Sequence, residues 1–186
     1  MHSLAQRANT LSSIITTGVF IVMILVSILT IANPPILNNQ IRFKSAKPIV
    51  SLKNTRNYGA TKQKPKENAK FKFDMVADFN DLVDWNTKQV FAYVYVEIDN
   101  DDNNNNNNNE NADKIVIWDK IFDDKSKMYF NQKNIKSKYS LWDHSPELHG
   151  RTGTFKLGYN IQPHLGPLTF GTIDLNQTIT FPEIKV

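Results

Sequence analysis

The sequence contains no cysteine. That excludes disulfides, thiol catalysis and cysteine-ligated zinc. It does not identify the redox compartment, because a domain of about 150 residues buries enough apolar surface to fold without crosslinks. A phosphate-cradling glycine loop, a nucleophile elbow and a dinucleotide fingerprint are also missing. Beyond the N-terminal region no long stretch keeps a helical period, which excludes a helical bundle for the bulk of the chain. The segment Arg42 to Lys72 is nearly without acid, with ten basic residues against Glu67 alone, and it is followed by thirteen acids against three lysines between Asp74 and Asp124. The basic stretch holds only Phe43, Tyr58 and Phe71 as aromatics and no recognition motif, so a nucleic-acid partner is not expected.

One long hydrophobic run is present. Leu11 to Ile31 reads LSSIITTGVFIVMILVSILTI without a charge. At 1.5 Å per residue this covers about 31 Å, the thickness of a bilayer's hydrocarbon core. It lacks the polar face of a buried core helix and is longer than the apolar centre of a cleavable signal peptide, so an uncut signal-anchor is expected over residues 11–31. The flanking charges, Arg7 before the run and Arg42, Lys44 and Lys47 after it, point toward a cytosolic C-terminal side. Asn176-Gln177-Thr178 is a glycosylation acceptor only on the lumenal side. Topology is therefore open on the residues alone. Ser12, Ser13, Thr16, Thr17 and Gly18 form a small-residue patch that suits either close packing on other spans or a lipid-facing helix.

After the run, alternation at period two recurs. Phe71, Phe73, Met75, Ala77 and Phe79 alternate with polar residues, as in a half-buried strand. Val90 to Ile98 reads VFAYVYVEI and is expected to be a central strand covered on both sides. Further strands are expected over 41–52, 115–122, 127–130, 135–142, 154–161 and 168–181, with a helical turn near Asp81 to Trp85. Short strands between turn clusters predict an all-β, antiparallel β-sandwich over residues 32–186, preceded by one transmembrane helix and a short N-terminal segment over residues 1–10. Residues 99–112 are asparagine-rich and read as a disordered loop joining two strands, and Asn54–Lys70 reads as a second loop.

Candidate chemistry is sparse. Asp143-His144-Ser145 names three triad residue types, but sequence neighbours point apart and cannot relay a proton. His144, His149 and His164 lack metal-ligand spacing, and Asp119, Asp123 and Asp124 are explained by a strand end and turn. No catalytic residue, metal or cofactor is expected. Each tryptophan adjoins an acid, in Asp84-Trp85, Trp118-Asp119 and Trp142-Asp143, and such residues serve either as core or as interface anchors. Trp85, Asn86, Trp118, Asp119 and Trp142 are the candidate partner interface, and Asn176, on the outward side of the last strand, is the candidate glycosylation site.

Arg7-Ala8-Asn9 before the span, DWNTKQVFAYVYVEI from Asp84 to Ile98, IVIWDKI from Ile115, KYSLWD from Lys138 and GYNIQP around Tyr159 follow one another in the order of a known family. The chain resembles signal peptidase complex subunit 3, over nearly its whole length. It departs from that family in the asparagine tract. It also has no sequon in Arg151-Thr152-Gly153-Thr154, where the family carries its glycan. The resemblance implies a single-pass type II protein of the endoplasmic reticulum membrane with a cytosolic N-terminus and a lumenal C-terminal domain. It implies a non-catalytic scaffold for the catalytic subunit that removes signal peptides. The other small membrane subunits would be direct partners and nascent secretory precursors indirect ones. A free-standing lumenal binding module or receptor, anchored by its N-terminus, is the alternative.

Overall fold

A computed structural model describes residues 3–37, 41–53, 65–98, 112–142 and 147–184. Most of the asparagine tract, residues 54–64 and the Asp143-His144-Ser145 triplet lie outside the described residues.

Helix α1 (Leu4–Ala32) starts about two turns before the uncharged run. The Ser3 side chain caps it by accepting from the Gln6 amide at 3.3 Å. It is long and apolar enough to cross a membrane, and none of its residues is buried. Its hydroxyl groups would be costly in hydrocarbon, yet Thr16, Thr17, Ser27 and Thr30 each donate to the carbonyl four residues earlier at 2.8–3.0 Å. These four hydroxyl protons therefore have partners within the helix, which makes the segment compatible with lipid.

Among the described residues ten strands follow: β1 (Arg42–Ser45), β2 (Ile49–Lys53), β3 (Lys66–Lys70), β4 (Lys72–Asp78), β5 (Thr87–Ile98), β6 (Asp113–Phe122), β7 (Tyr129–Lys136), β8 (Leu141–Trp142), β9 (Thr152–Pro163) and β10 (Thr169–Thr180). Every pairing is antiparallel. One sheet has the order β10-β9-β5-β6, and two three-stranded sheets have the orders β1-β4-β7 and β2-β3-β8. The last two are continuations of each other along the chain. The breaks occur at one level, at Ala46–Pro48, at Phe71 and at Ser137–Ser140. There Phe71 exchanges backbone and hydroxyl hydrogen bonds with Ser137, and the Ala46 amide donates to Lys72 at 2.8 Å. They act as one bent sheet laid over the four-stranded one.

Aromatic rings from both layers interlock in the core. Phe71 and Phe73 of the bent sheet meet Phe155 and Trp118 of the other at 5.6 and 6.2 Å between centroids, both edge-on. Such contacts add to simple burial. The Gln177 amide joins the layers at one edge. It accepts from the Ser45 N–H at 2.8 Å and donates to the Ser45 C=O at 3.2 Å, imitating a strand partner.

Several expected elements differ. The strand over 41–52 is divided because Pro48, which is buried, has no N–H for the ladder. Lys66–Lys70, expected in a loop, is a strand with Glu67, Asn68 and Ala69 buried. Glu67 tolerates burial because it accepts the Leu148 and His149 amides at 2.6 and 2.9 Å. Asn68 is satisfied only at Oδ1, which accepts the Ser51 hydroxyl at 2.9 Å, and its buried Nδ2 meets no acceptor among the described residues. The strands expected at 127–130 and 135–142 are instead one continuous β7 and a separate two-residue β8. Ile98 pairs with Asp113, so the asparagine tract connects adjacent antiparallel strands.

Candidate partner surface and membrane junction

The domain meets the span through the turn before β5. Asp84 organises that turn by accepting the Asn86 amide and the Thr87 hydroxyl, both at 2.8 Å. Asn86 is then buried and turned toward the helix. Its Nδ2 donates to Thr30 Oγ1 at 2.7 Å and to the Leu165 C=O at 2.8 Å, while its Oδ1 accepts the Leu165 N–H at 3.1 Å. One side chain thus ties together the last turn of α1, the start of β5 and the loop between β9 and β10. The linker is short as well: Leu37 is already part of the core, five residues after Ala32, a reach of at most about 18 Å.

The outward face of the four-stranded sheet is set by register. Phe91 lies opposite Ile121 and Asn160, and Asn160 opposite Phe170. Tyr93 lies opposite Asp119 and Gly158. Phe91 and Tyr93 stack at 5.6 Å, and Tyr93 follows Tyr95 at 5.8 Å. Ile121 and Phe170 are exposed, while Phe91 and Tyr93 are half-buried. Beyond this apolar half the face becomes charged. Glu97 pairs with Lys156 and, at 3.5 Å, with Lys114. Burial and then the Glu97 charge push the Tyr95 hydroxyl up, and the hydrogen bond that Lys156 donates to Glu97 raises Lys156. The apolar half belongs to the end of the sheet nearest the span, because the β5 residues before Phe91 lead directly to Asn86.

The residues expected at a partner surface are not brought together. Trp85 is 69% exposed beside the junction. Asn86 is buried against the chain's own helix rather than open to a partner. Trp118 is in the core, where it meets Phe130 at 5.4 Å. The physical reason is the bulge between Val94 and Tyr95 pairings, which inserts Ile117 and turns both Ile117 and Trp118 inward. Asp119 remains on the outer side, with Lys138 Nζ at 3.2 Å, and its hydrogen bond raises the Tyr139 hydroxyl. Trp142 is half-buried on β8, opposite Asn68.

The expectation that VFAYVYVEI is covered on both sides is corrected. Val90, Ala92, Val94, Val96 and Ile98 face the core, whereas the Phe91–Tyr93 side has no second layer of described residues over it. Phe91, Ile121 and Phe170 were legible only as apolar strand residues, because cross-strand pairing makes them one surface. Asn176 is exposed, with φ of 51° at an irregularity where the β9–β10 register shifts, and its N–H donates to Asp174 Oδ1 at 2.8 Å. His149 lies against Glu67 at 3.2 Å, and His164 donates its backbone N–H to the Asn86 C=O at 2.7 Å. Among the described residues no three His, Asp or Glu side chains are grouped to hold a metal.

Comparison with known proteins agrees with the blocks read in the sequence. Residues 1–184 match the profile of the family described as "Signal peptidase subunit". The protein named signal peptidase complex subunit 3 from Debaryomyces hansenii is 40% identical over 179 residues, covering 96% of this chain and 90% of that protein. Its namesake from Yarrowia lipolytica is 36% identical, covering 99% and 100%. That of Saccharomyces cerevisiae is 34% identical over 137 residues, covering 73% and 71%.

Proposed function

The chain belongs to the signal peptidase subunit family, and on that premise we propose that it is a non-catalytic, membrane-anchored subunit of a signal peptidase complex in the endoplasmic reticulum. Its β-sandwich is lumenal. Its task is to hold the catalytic subunit above the membrane while signal peptides are cut from secretory and membrane precursors. The free-standing receptor is not favoured, since the relatives carry the names of complex subunits.

The observation that carries this reading is the apolar outer half of the four-stranded sheet, with Phe91, Tyr93, Ile121 and Phe170 along one face. A sheet face of this composition suits a protein partner. Through β5 and Asn86 it is braced against the span, so a domain docked there is held at a fixed height. Placement errors of about 1 Å can cost a hundredfold in rate, so a scaffold can be essential without supplying a reacting atom.

The test replaces the chain in cells depleted of it. Depletion makes uncleaved precursors accumulate. Ser145→Ala and His144→Ala restore cleavage fully, whereas Ile121→Glu leaves a folded chain that no longer co-purifies with the catalytic subunit in mild detergent. A stable, assembled but inactive Ser145 or His144 variant would overturn the non-catalytic role. Normal co-purification of Ile121→Glu would move the docking site elsewhere. A C-terminal tag resistant to protease in sealed microsomes, and digested once detergent is added, establishes the lumenal side; digestion without detergent would refute it.

A further inference from the structure

We propose that the end of the β-sandwich nearest the span rests on the lipid leaflet itself, through Trp85, Leu168 and Ile36 inserted at the boundary between headgroups and acyl chains. The inference needs only that α1 crosses the bilayer. It holds whichever compartment the domain occupies and whichever protein docks on the sheet face.

Depth follows from counting. A hydrocarbon core of about 30 Å takes about 20 helical residues. The apolar run ends at Ile31, just before Ala32-Asn33-Pro34-Pro35, and has about that length, which puts Thr30 at the edge of the hydrocarbon. Asn86 Nδ2 is 2.7 Å from Thr30 Oγ1, which puts the turn holding Trp85 at the same depth. The headgroup region is only about 5–8 Å thick on each side, and adjacent Cα atoms are about 3.8 Å apart, so the Trp85 indole falls within it. The loop between β9 and β10 lies against the same end of α1. A side chain at Gly166 would begin 3.6 Å from Ser27 Cα, almost one turn inside Thr30, and Gly166 has φ of 116°, which other residues rarely adopt. Two residues on, Leu168 is 51% exposed, and Ile36 beside the helix end is 63% exposed.

Three large apolar side chains, each within a few residues of a segment that touches or follows the end of α1, are therefore turned away from the core. An indole is suited to this depth because its ring is apolar while its N–H can reach the polar layer. The consequence is a fixed height and tilt for the domain, held at Thr30 and at the lipid contacts around it.

The test uses the intact chain in phosphatidylcholine nanodiscs, comparing wild type with Trp85→Phe so that their difference isolates the emission of Trp85. The substitution is exposed and leaves the core untouched. The expected difference spectrum is blue-shifted, quenched by phosphatidylcholine brominated near the headgroup, less by bromines deep in the chains, and little affected by aqueous iodide. Asn86→Ala, which releases the joint, should reduce the lipid quenching. A Trp85 emission that iodide quenches and shallow bromines do not would overturn the proposal. So would shielding from iodide that appears only when a partner subunit is added, since the surface would then belong to a protein.

Discussion

Asn86→Ala removes the single side chain that ties the domain to its span. Three hydrogen bonds disappear, one to the Thr30 hydroxyl and two with the Leu165 backbone. Each is worth about 1 kcal/mol net, and the Leu165 amide groups are left in a partly buried place, so the loss should be about 3 kcal/mol. For a domain of this size that corresponds to roughly 6–12 °C in Tm. Thr30→Val removes the acceptor that Asn86 uses and the hydroxyl's own bond to the Val26 C=O; that carbonyl belongs to the helix ladder, so this change should cost about 1 kcal/mol. Thermal unfolding in nanodiscs of the wild type, both single variants and the double variant closes a cycle. A coupling of about 1 kcal/mol is expected, because the bond can be lost only once. A coupling of zero would mean that Asn86 and Thr30 do not interact in the bilayer, and the depth assigned to Trp85 would lose its support.

Other consequences follow from particular contacts. Glu67→Ala removes two charge-assisted bonds to the 148–149 backbone and should cost about 3 kcal/mol, read as a lower urea midpoint with an unchanged slope. Gly171→Ala would drive a methyl into the Tyr159 ring, which is buried, whereas Gly158→Ala meets the Tyr93 ring, which can swing outward. The first should lose about 1–3 kcal/mol and the second clearly less, and the reverse order in thermal scans would show the ring assignments to be mistaken. Asn176 in a lumenal domain should carry an oligosaccharide removed by endoglycosidase and absent from Asn176→Gln, with a mobility shift on gels as the readout.

The sequence by itself determined the two-part plan. A run of 21 uncharged, mostly apolar residues has one stable environment, and four of its hydroxyls, Thr16, Thr17, Ser27 and Thr30, donate within the helix, so no distant contact was needed to read the span. Period-two alternation likewise specified β4 and β10, including the outward side of Asn176, because side-chain direction in a strand is a local property. Gln177, which interrupts the apolar side of β10, had no local explanation and gained one only when Ser45 came within reach. The same limit hid β3, whose Lys-Glu-Asn-Ala-Lys composition resembles a loop until the 148–149 amides arrive to meet Glu67. It also misplaced Trp118, turned inward by a bulge that exists only when β6 pairs with β5, and Asn86, drawn under the domain by Thr30. Tertiary structure alone decided which apolar strand residues the rest of the described chain leaves uncovered. The alternation in VFAYVYVEI separates two sides without saying which one the rest of the chain will cover. That choice depends on where the bent sheet packs, and it leaves Phe91, Tyr93, Ile121 and Phe170 on the side that no second layer of described residues covers.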